Sequence, residues 1–321
     1  MSQGCEFMAR SAPVSSGQAI IDVHMHCFTG RWLAADVARG LDVLRRAGLR
    51  HIVVLGLVNT HLDAQAMWGL IPDFVENRGD PLFHEADDLL ELTGSSDRML
   101  LPFVDTRHLW GDVVTELQGY LERGFKGIKG IYLPDDENDI GVRGVPDMLG
   151  ISLAQYHRRE WEIFSFAQSH DLPLVYHMDA RRHGDVMKAL LDDFPNVRVD
   201  FAHLGIGRKA FSAILDRYPN VYTDIAGLLP HMRNNPVSYR DFIMQYAERV
   251  CFASDTLLYQ SGSVLDYIQI VKELQLPEDV AARVFYGNPA GFLGSALLDA
   301  GLHRPAGSLE VPPHTQEYEN S

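Results

Sequence analysis

Residues Leu172–His203 read LPLVYHMDARRHGDVMKALLDDFPNVRVDFAH, and this stretch decides the architecture. It opens on a short apolar run, Leu172–His177, that closes with a histidine. Helical spacing follows over Asp185–Phe194. A second apolar run, Val197–His203, also ends in a histidine. Short strands that are apolar on both faces and joined through a helix predict a parallel βαβ unit. The same alternation recurs outward. Ala19–His24, His51–Val58, Met99–Val104 and Phe125–Leu133 read as earlier strands, and Val221–Ile225 and Val250–Ala253 as later ones. Helical spacing covers Leu33–Ala47, Val113–Leu121, Ser152–His170, Lys209–Tyr218, Tyr239–Glu248, Val264–Leu274 and Glu278–Phe285. This alternation predicts an α/β fold, a closed (β/α)8 TIM barrel, over an open doubly wound sheet. No Gly-x-Gly-x-x-Gly or Walker A sequence supports a nucleotide-binding sheet. Asn59–Arg98 is long for one connection and reads as an elaborated rim after the second strand.

The chain has 321 residues, 46% of them hydrophobic, which excludes wholesale disorder. Lys and Arg number 28 against 43 Asp and Glu, a net charge of −15, so a nucleic-acid binder with a broad basic face is not expected. Cys5, Cys27 and Cys251 are too few and too scattered for a disulfide framework or a cysteine zinc site, so a reducing cytoplasm is the expected location. No apolar run is long enough to span a membrane. The expected layout is a loose leader over 1–18, one barrel domain over 19–300 and a polar tail over 301–321, in a chain able to form a homodimer.

In such a barrel, chemistry lies where strands end and βα loops begin. The first strand ends Asp22-Val23-His24-Met25-His26. Strand alternation would put Asp22, His24 and His26 on one face, with two imidazoles at the mouth and Asp22 one layer deeper, placed to orient a histidine. The fifth strand ends at His177, the sixth at His203, and the eighth runs on to Asp255. Imidazole nitrogen with carboxylate oxygen suits Zn2+, Mn2+ or Fe2+. Lys129 lies near the exit of the fourth strand, where an inward lysine is costly unless paired or modified. Carboxylated by CO2, it would become an anionic oxygen ligand able to bridge two ions. Lys126 should then face the helical layer. Cys27 reads as a core residue, and Asn288, with Gly287, as a structural support for the loop after Asp255.

Six pieces carry a resemblance: IDVHMHCF (Ile21–Phe28), GFKGIKGIYL (Gly124–Leu133), LPLVYHMD (Leu172–Asp179), VDFAHLG (Val199–Gly205), FASDT (Phe252–Thr256) and VFYGNPAGFLG (Val284–Gly294). The chain resembles the amidohydrolase superfamily, in the branch that also holds lactone hydrolases and non-oxidative aromatic-acid decarboxylases. The resemblance implies metal ligands at His24, His26, His177, His203 and Asp255, with Lys129 carboxylated in members that hold two ions. Decarboxylase relatives often hold one ion and need no such lysine. Tyr132-Leu133-Pro134 departs from the branch's frequent His-Pro, which leaves ion count and substrate open. The reading is a metal-dependent hydrolase of an amide, lactone or ester, using one or two divalent ions, Zn2+ first with Mn2+ or Fe2+ as alternatives. Metal-activated hydroxide attacks, Asp255 shuttles the proton, and Asp255 and His203 are the catalytic candidates. The alternative is a non-oxidative decarboxylase of an aromatic or unsaturated acid. A non-catalytic scaffold ranks last, since every expected ligand is present.

The loops after the strands are basic despite the acidic whole: Arg107 and His108, then Arg181, Arg182 and His183, then Arg208 and Lys209, then His231 and Arg233. Such a rim suggests a small anionic substrate, such as a carboxylate, while the bland reading is ion pairing with nearby acids. Arg181, Tyr132, Arg208 and His231 are the substrate-binding candidates. Trp32, Trp68, Trp110, Tyr132 and Tyr222 would suit a planar substrate or pack loops.

Overall fold

The computed structural model describes residues 17–27, 34–56, 85–94, 96, 98–141 and 143–299. Eight parallel strands follow one another in chain order around a (β/α)8 barrel. They are β1 (Ile20–His26), β2 (Leu49–Leu55), β3 (Leu100–Asp105), β4 (Gly127–Ile131), β5 (Leu174–His177), β6 (Val199–Phe201), β7 (Val221–Asp224) and β8 (Val250–Cys251). The segment running on from β8 closes the ring onto β1. Val23 N donates to the Phe252 carbonyl at 3.2 Å, Asp255 N to the His24 carbonyl at 2.7 Å, and His26 N to the Thr256 carbonyl at 2.9 Å.

The helices begin where side chains satisfy free backbone donors. Ser152 and Gln155 form a reciprocal capping box on the helix Leu153–Ser169. Asp112 accepts from Thr115 N at the start of Val113–Arg123. Asp179 accepts from Arg181 N and starts the helix at Ala180, earlier than the apolar spacing had suggested. Among the described residues, no helix is long and apolar enough to cross a membrane.

The core has two shells. Ile21, Val23, Val53, Leu55, Leu101, Phe103, Val175, Cys251 and Ala253 fill the barrel, joined by Phe292 and Leu293 from the closing helix Asn288–Leu293. A larger shell lies between sheet and helices. Gly130 makes room for an outer-shell ring: a Cβ there would lie 1.8 Å from the Tyr176 ring. Lys129 is buried and Lys126 exposed, as alternation requires. Asn288 donates to the Ala247 and Val250 carbonyls, so it braces the approach to β8 and not the loop after Asp255.

One expectation needs correction. The β1–β2 register shifts between Asp22 and Met25. Asp22 pairs with Ile52, of the outer shell, whereas His26 pairs with Leu55, of the inner one. This irregularity breaks the alternation, so Asp22 does not share a face with His26. The expected leader and tail lie almost wholly outside the described residues, as do Trp32, Trp68 and most of the Asn59–Arg98 rim. The described part of that rim holds the helix Glu85–Gly94.

Candidate active site

The C-terminal mouth of the barrel gathers His24 and His26 from β1, Lys129 from β4, His177 from β5, and His203 and Asp255 from just beyond β6 and β8. The His24 ring centroid lies 5.2 Å from those of both His26 and His203, and His177 lies 5.2 Å from His203. Asp255 Oδ1 is 3.5 Å from His24 Nε2 and 3.3 Å from His26 Nε2. Ligand atoms of His24, His26 and Asp255 all lie within 4.8 Å of one another, close enough to share one ion.

Second partners decide which nitrogen of each ring is available. His24 Nδ1 sits 2.9 Å from Asp224 Oδ2, His26 Nδ1 3.2 Å from the Gly56 carbonyl, and His203 Nδ1 2.8 Å from the Ala226 carbonyl. Carbonyls and an ionised carboxylate only accept, so each Nδ1 carries a proton, which leaves Nε2 as the nitrogen that can turn to an ion; the Nε2 atoms of His24 and His26 lie beside Asp255. Burial would raise the Asp224 carboxyl, but the adjacent His24 and His203 hold it down to about 2. Burial lowers His24 to about 4, against the pull of Asp224, so its imidazole is neutral near pH 7. Burial alone would also raise Asp255, yet its hydrogen bond to His26 and the nearby His24 and His203 rings hold it well below the usual carboxylate range. Imidazoles set around an ionised carboxylate, each ring oriented from behind, are a donor set that fits a divalent cation.

The backbone is shaped to deliver these groups. His203, Leu204 and Ile206 have φ of 59°, 53° and 60°, and Asp255 has φ of 53°. Such conformations cost energy in non-glycine residues and recur where a site needs them. Gly227, at φ 66°, runs beside both groups: a Cβ there would meet Asp255 Oδ2 at 3.0 Å and His203 Nδ1 at 3.3 Å. Asp22 anchors the frame instead of a ring. It accepts from His24 N at 3.0 Å and from Ser254 N and Oγ at 3.2 and 2.6 Å. Burial lowers the Lys129 ammonium to about 8, opposed by Asp105, and its Nζ donates to the Gly130 carbonyl at 3.0 Å.

The proposed substrate contacts divide. Arg208 and His231 line a cavity of about 310 Å³ together with His203, Asp139, Leu228 and Tyr239. Arg208 donates to the Ser238 carbonyl at 2.8 Å and its guanidinium lies 4.0 Å over the Tyr239 ring. Arg181 is clamped onto Asp179 by bonds of 2.9 and 2.6 Å and lines a neighbouring cleft, which shares Arg208 with this cavity but lacks His203 and His231. Tyr132 is buried, with its hydroxyl 2.9 Å from His157 Nε2 and its ring stacked on Tyr156. Tyr222 packs on Phe292 of the closing helix, away from the mouth. Much of the basic rim is paired: Arg107 with Asp105, Arg182 with Asp135, Arg233 with Asp266.

Sequence reasoning missed Asp224, which orients His24, and Asp139, whose carboxylate oxygens lie 3.1 and 3.2 Å from His177 Nε2. Asp224 was findable, since it closes β7 as His177 closes β5. Asp139 carried no such signal.

Solved structures share the fold at low identity. An uncharacterized TIM-barrel protein from Bordetella bronchiseptica matches with a TM-score of 0.57 and 15% identity, over 88% of this chain and 99% of its own. A candidate 2-pyrone-4,6-dicarboxylic acid hydrolase from Pseudomonas putida gives 0.54 and 14%, over 86% and 98%. A lactonase from Listeria monocytogenes gives 0.54 and 11%, over 88% and 96%. No curated protein matches the sequence. The family model described as Amidohydrolase matches residues 21–295, and the chain belongs to the amidohydrolase family.

Proposed function

We propose that this amidohydrolase is a metal-dependent hydrolase of a small, carboxylate-bearing lactone, amide or ester. One observation carries the reading: His24, His26 and His203 each commit Nδ1 to an oxygen acceptor, and the Nε2 atoms of His24 and His26 lie beside the ionised Asp255, close enough to share one ion with it. A divalent ion held by His24, His26 and Asp255, or a pair also held by His177, His203 and a carboxylated Lys129, would polarise the scissile carbonyl and acidify water. Zn2+ is the first choice for this nitrogen-rich set. Burial of Lys129 favours its neutral amine, the form that reacts with CO2.

Asp255 moves the proton. Its side chain is 27% exposed at the mouth and ionised near neutral pH, so it takes a proton from the attacking water and passes it to the leaving group. His203 adjoins Asp255 across Gly227 and faces the cavity, where it contacts the reacting group. Arg208 on the cavity wall is the cation for a substrate carboxylate, with His231 beside it. Arg181 stands farther out, and Tyr132 acts through the packing of its loop. The cavity volume suits a small molecule.

The test is metal analysis of the purified protein, then a screen of carboxylated lactones, amides, esters and aromatic acids. Expected are bound divalent ion, hydrolysis that a chelator abolishes, and recovery on adding metal. Chelator-insensitive hydrolysis overturns the reading. Release of CO2 from an aromatic acid without hydrolysis replaces it with the decarboxylase. Within the reading, Arg208→Ala should raise KM for the carboxylated substrate about tenfold at nearly constant kcat. An unchanged KM removes Arg208 from substrate binding.

A further inference from the structure

At His24, His26 and His203 the ring nitrogen Nδ1 donates to an oxygen acceptor behind it, which leaves Nε2 as the nitrogen that can turn to an ion. His177 meets the same condition from a different direction. Its Nε2 faces both carboxylate oxygens of Asp139, at 3.2 and 3.1 Å, so Nε2 carries the proton and Nδ1 keeps the lone pair. We propose that Asp139 is a positioning residue of the metal centre, which fixes the tautomer and tilt of His177 so that this imidazole offers Nδ1, not Nε2, to the ion. The inference rests on the metal-dependent reading above.

Three further observations support it. First, His177 is buried, and a buried imidazole with an unpaired N–H would be costly, so the Asp139 contact also satisfies that donor. Second, the segment bearing Asp139 is braced. Asp136 Oδ1 accepts from Gly144 N at 2.7 Å and ties the two ends of the segment together. Asp135 Oδ1 accepts from Glu137 N at 3.0 Å, and Asn138 Nδ2 donates to the Asp135 carbonyl at 3.1 Å. Asp139 therefore reaches the mouth from a braced segment. Third, the other orienting acceptors come from β7 or from backbone beyond β2 and β7, whereas Asp139 comes from the connection after β4. That connection thus joins the cavity wall and the ligand shell, since Asp139 lines the same cavity as Arg208 and His231. A cation on Nδ1 withdraws electrons from the ring and strengthens the Nε2–H bond to Asp139, so metal affinity and this contact support each other.

The experiment is Co2+ binding to the full chain, followed by competition with a chromophoric chelator and by the visible d–d spectrum of the bound ion. Removing an orienting partner of this kind lowers metal affinity about 10–100-fold. Asp139→Ala should show that loss together with an altered spectrum. Asp139→Asn, whose amide oxygen still accepts from Nε2–H, should recover part of the affinity. Glu137→Ala, at an exposed side chain that takes no part in these bracing bonds, controls for general disturbance of the segment and should leave both readouts at wild type. Circular dichroism melts verify that each variant is folded. Wild-type affinity and spectrum in Asp139→Ala overturn this inference alone. An equal loss in Glu137→Ala also overturns it, by reducing Asp139 to a support of its segment. A wild-type chain that takes up no Co2+ overturns the metal-dependent reading and this inference with it.

Discussion

Gly227 shows how narrowly single residues define the site. Its φ of 66° is one that side-chain-bearing residues adopt at a cost. The space is also taken, because a Cβ would press on Asp255 Oδ2 and His203 Nδ1 together. Gly227→Ala should therefore cost about 1–3 kcal/mol in urea-induced unfolding. It should cost more in function, since both groups are moved by the same methyl. A displacement near 1 Å commonly lowers turnover about a hundredfold. Full activity in a folded Gly227→Ala protein would mean that Asp255 and His203 need not be held as found. Asp200 adds a contrasting residue beneath the mouth. It is fully buried in β6 and its carboxylate oxygens have no hydrogen-bond partner. Burial, and then the neighbouring Asp224, push its carboxyl well above the ordinary range. Its charged form is thus disfavoured, whereas the histidines beside Asp224 favour the charged form there.

Among the elements, the packing of helix Leu153–Ser169 on β5 contains a titration of its own. Glu160 is buried there with Tyr176 donating to it. Burial pushes the Glu160 carboxyl from 4.5 up to about 7, only partly opposed by the Tyr176 hydrogen bond and by Arg159. Between those two values the unfolded chain has released a proton that the folded chain retains. Stability due to this group therefore falls as pH rises through that window, and levels off above it. Glu160→Gln removes the titration while keeping an acceptor for Tyr176. Its advantage over wild type should be small near pH 5 and grow to about 3 kcal/mol near pH 8. Urea denaturation at the two pH values checks this, and an equal difference at both would reject the titration. The same scale explains what the sequence disclosed. The strand cores were legible because runs such as Ile52–Leu55 are buried and apolar. The start of Ala180–Asp193 was not, because Arg181, Arg182 and His183 give no apolar period and the Asp179 cap sets the boundary. Val145–Leu149 and Leu229–Asn234 are too short to show a period at all. The histidines at the mouth were legible because each closes an apolar run. Asp22 was misplaced because the β1 irregularity leaves no trace in composition. Asp139 was missed because only the folded connection after β4 brings it to His177.

For the molecule as a whole, the residues that would hold the ion come from both ends of the chain. His24 and His26 lie on the first strand and Asp255 just past the last, where the barrel closes by the Asp255 N to His24 carbonyl bond. His177 and His203 add the far side of the ring. An ion that ties these residues together binds the folded barrel and not the unfolded chain, so its binding energy becomes stability of the whole barrel. At an ion concentration one hundred times the dissociation constant, that gain is about 2.7 kcal/mol. For a chain of this length it should raise Tm by roughly 4 °C. Differential scanning calorimetry of chelator-treated protein, with and without added Zn2+, measures it. The expected outcome is one cooperative transition that moves upward intact, because the ligands span the closure and brace no single element. His26→Ala should lose most of the shift while its metal-free Tm stays near that of the metal-free parent, since His26 is part-buried at the rim. A metal-induced shift that survives in His26→Ala, or one confined to a separate minor transition, would place the ion elsewhere on the molecule.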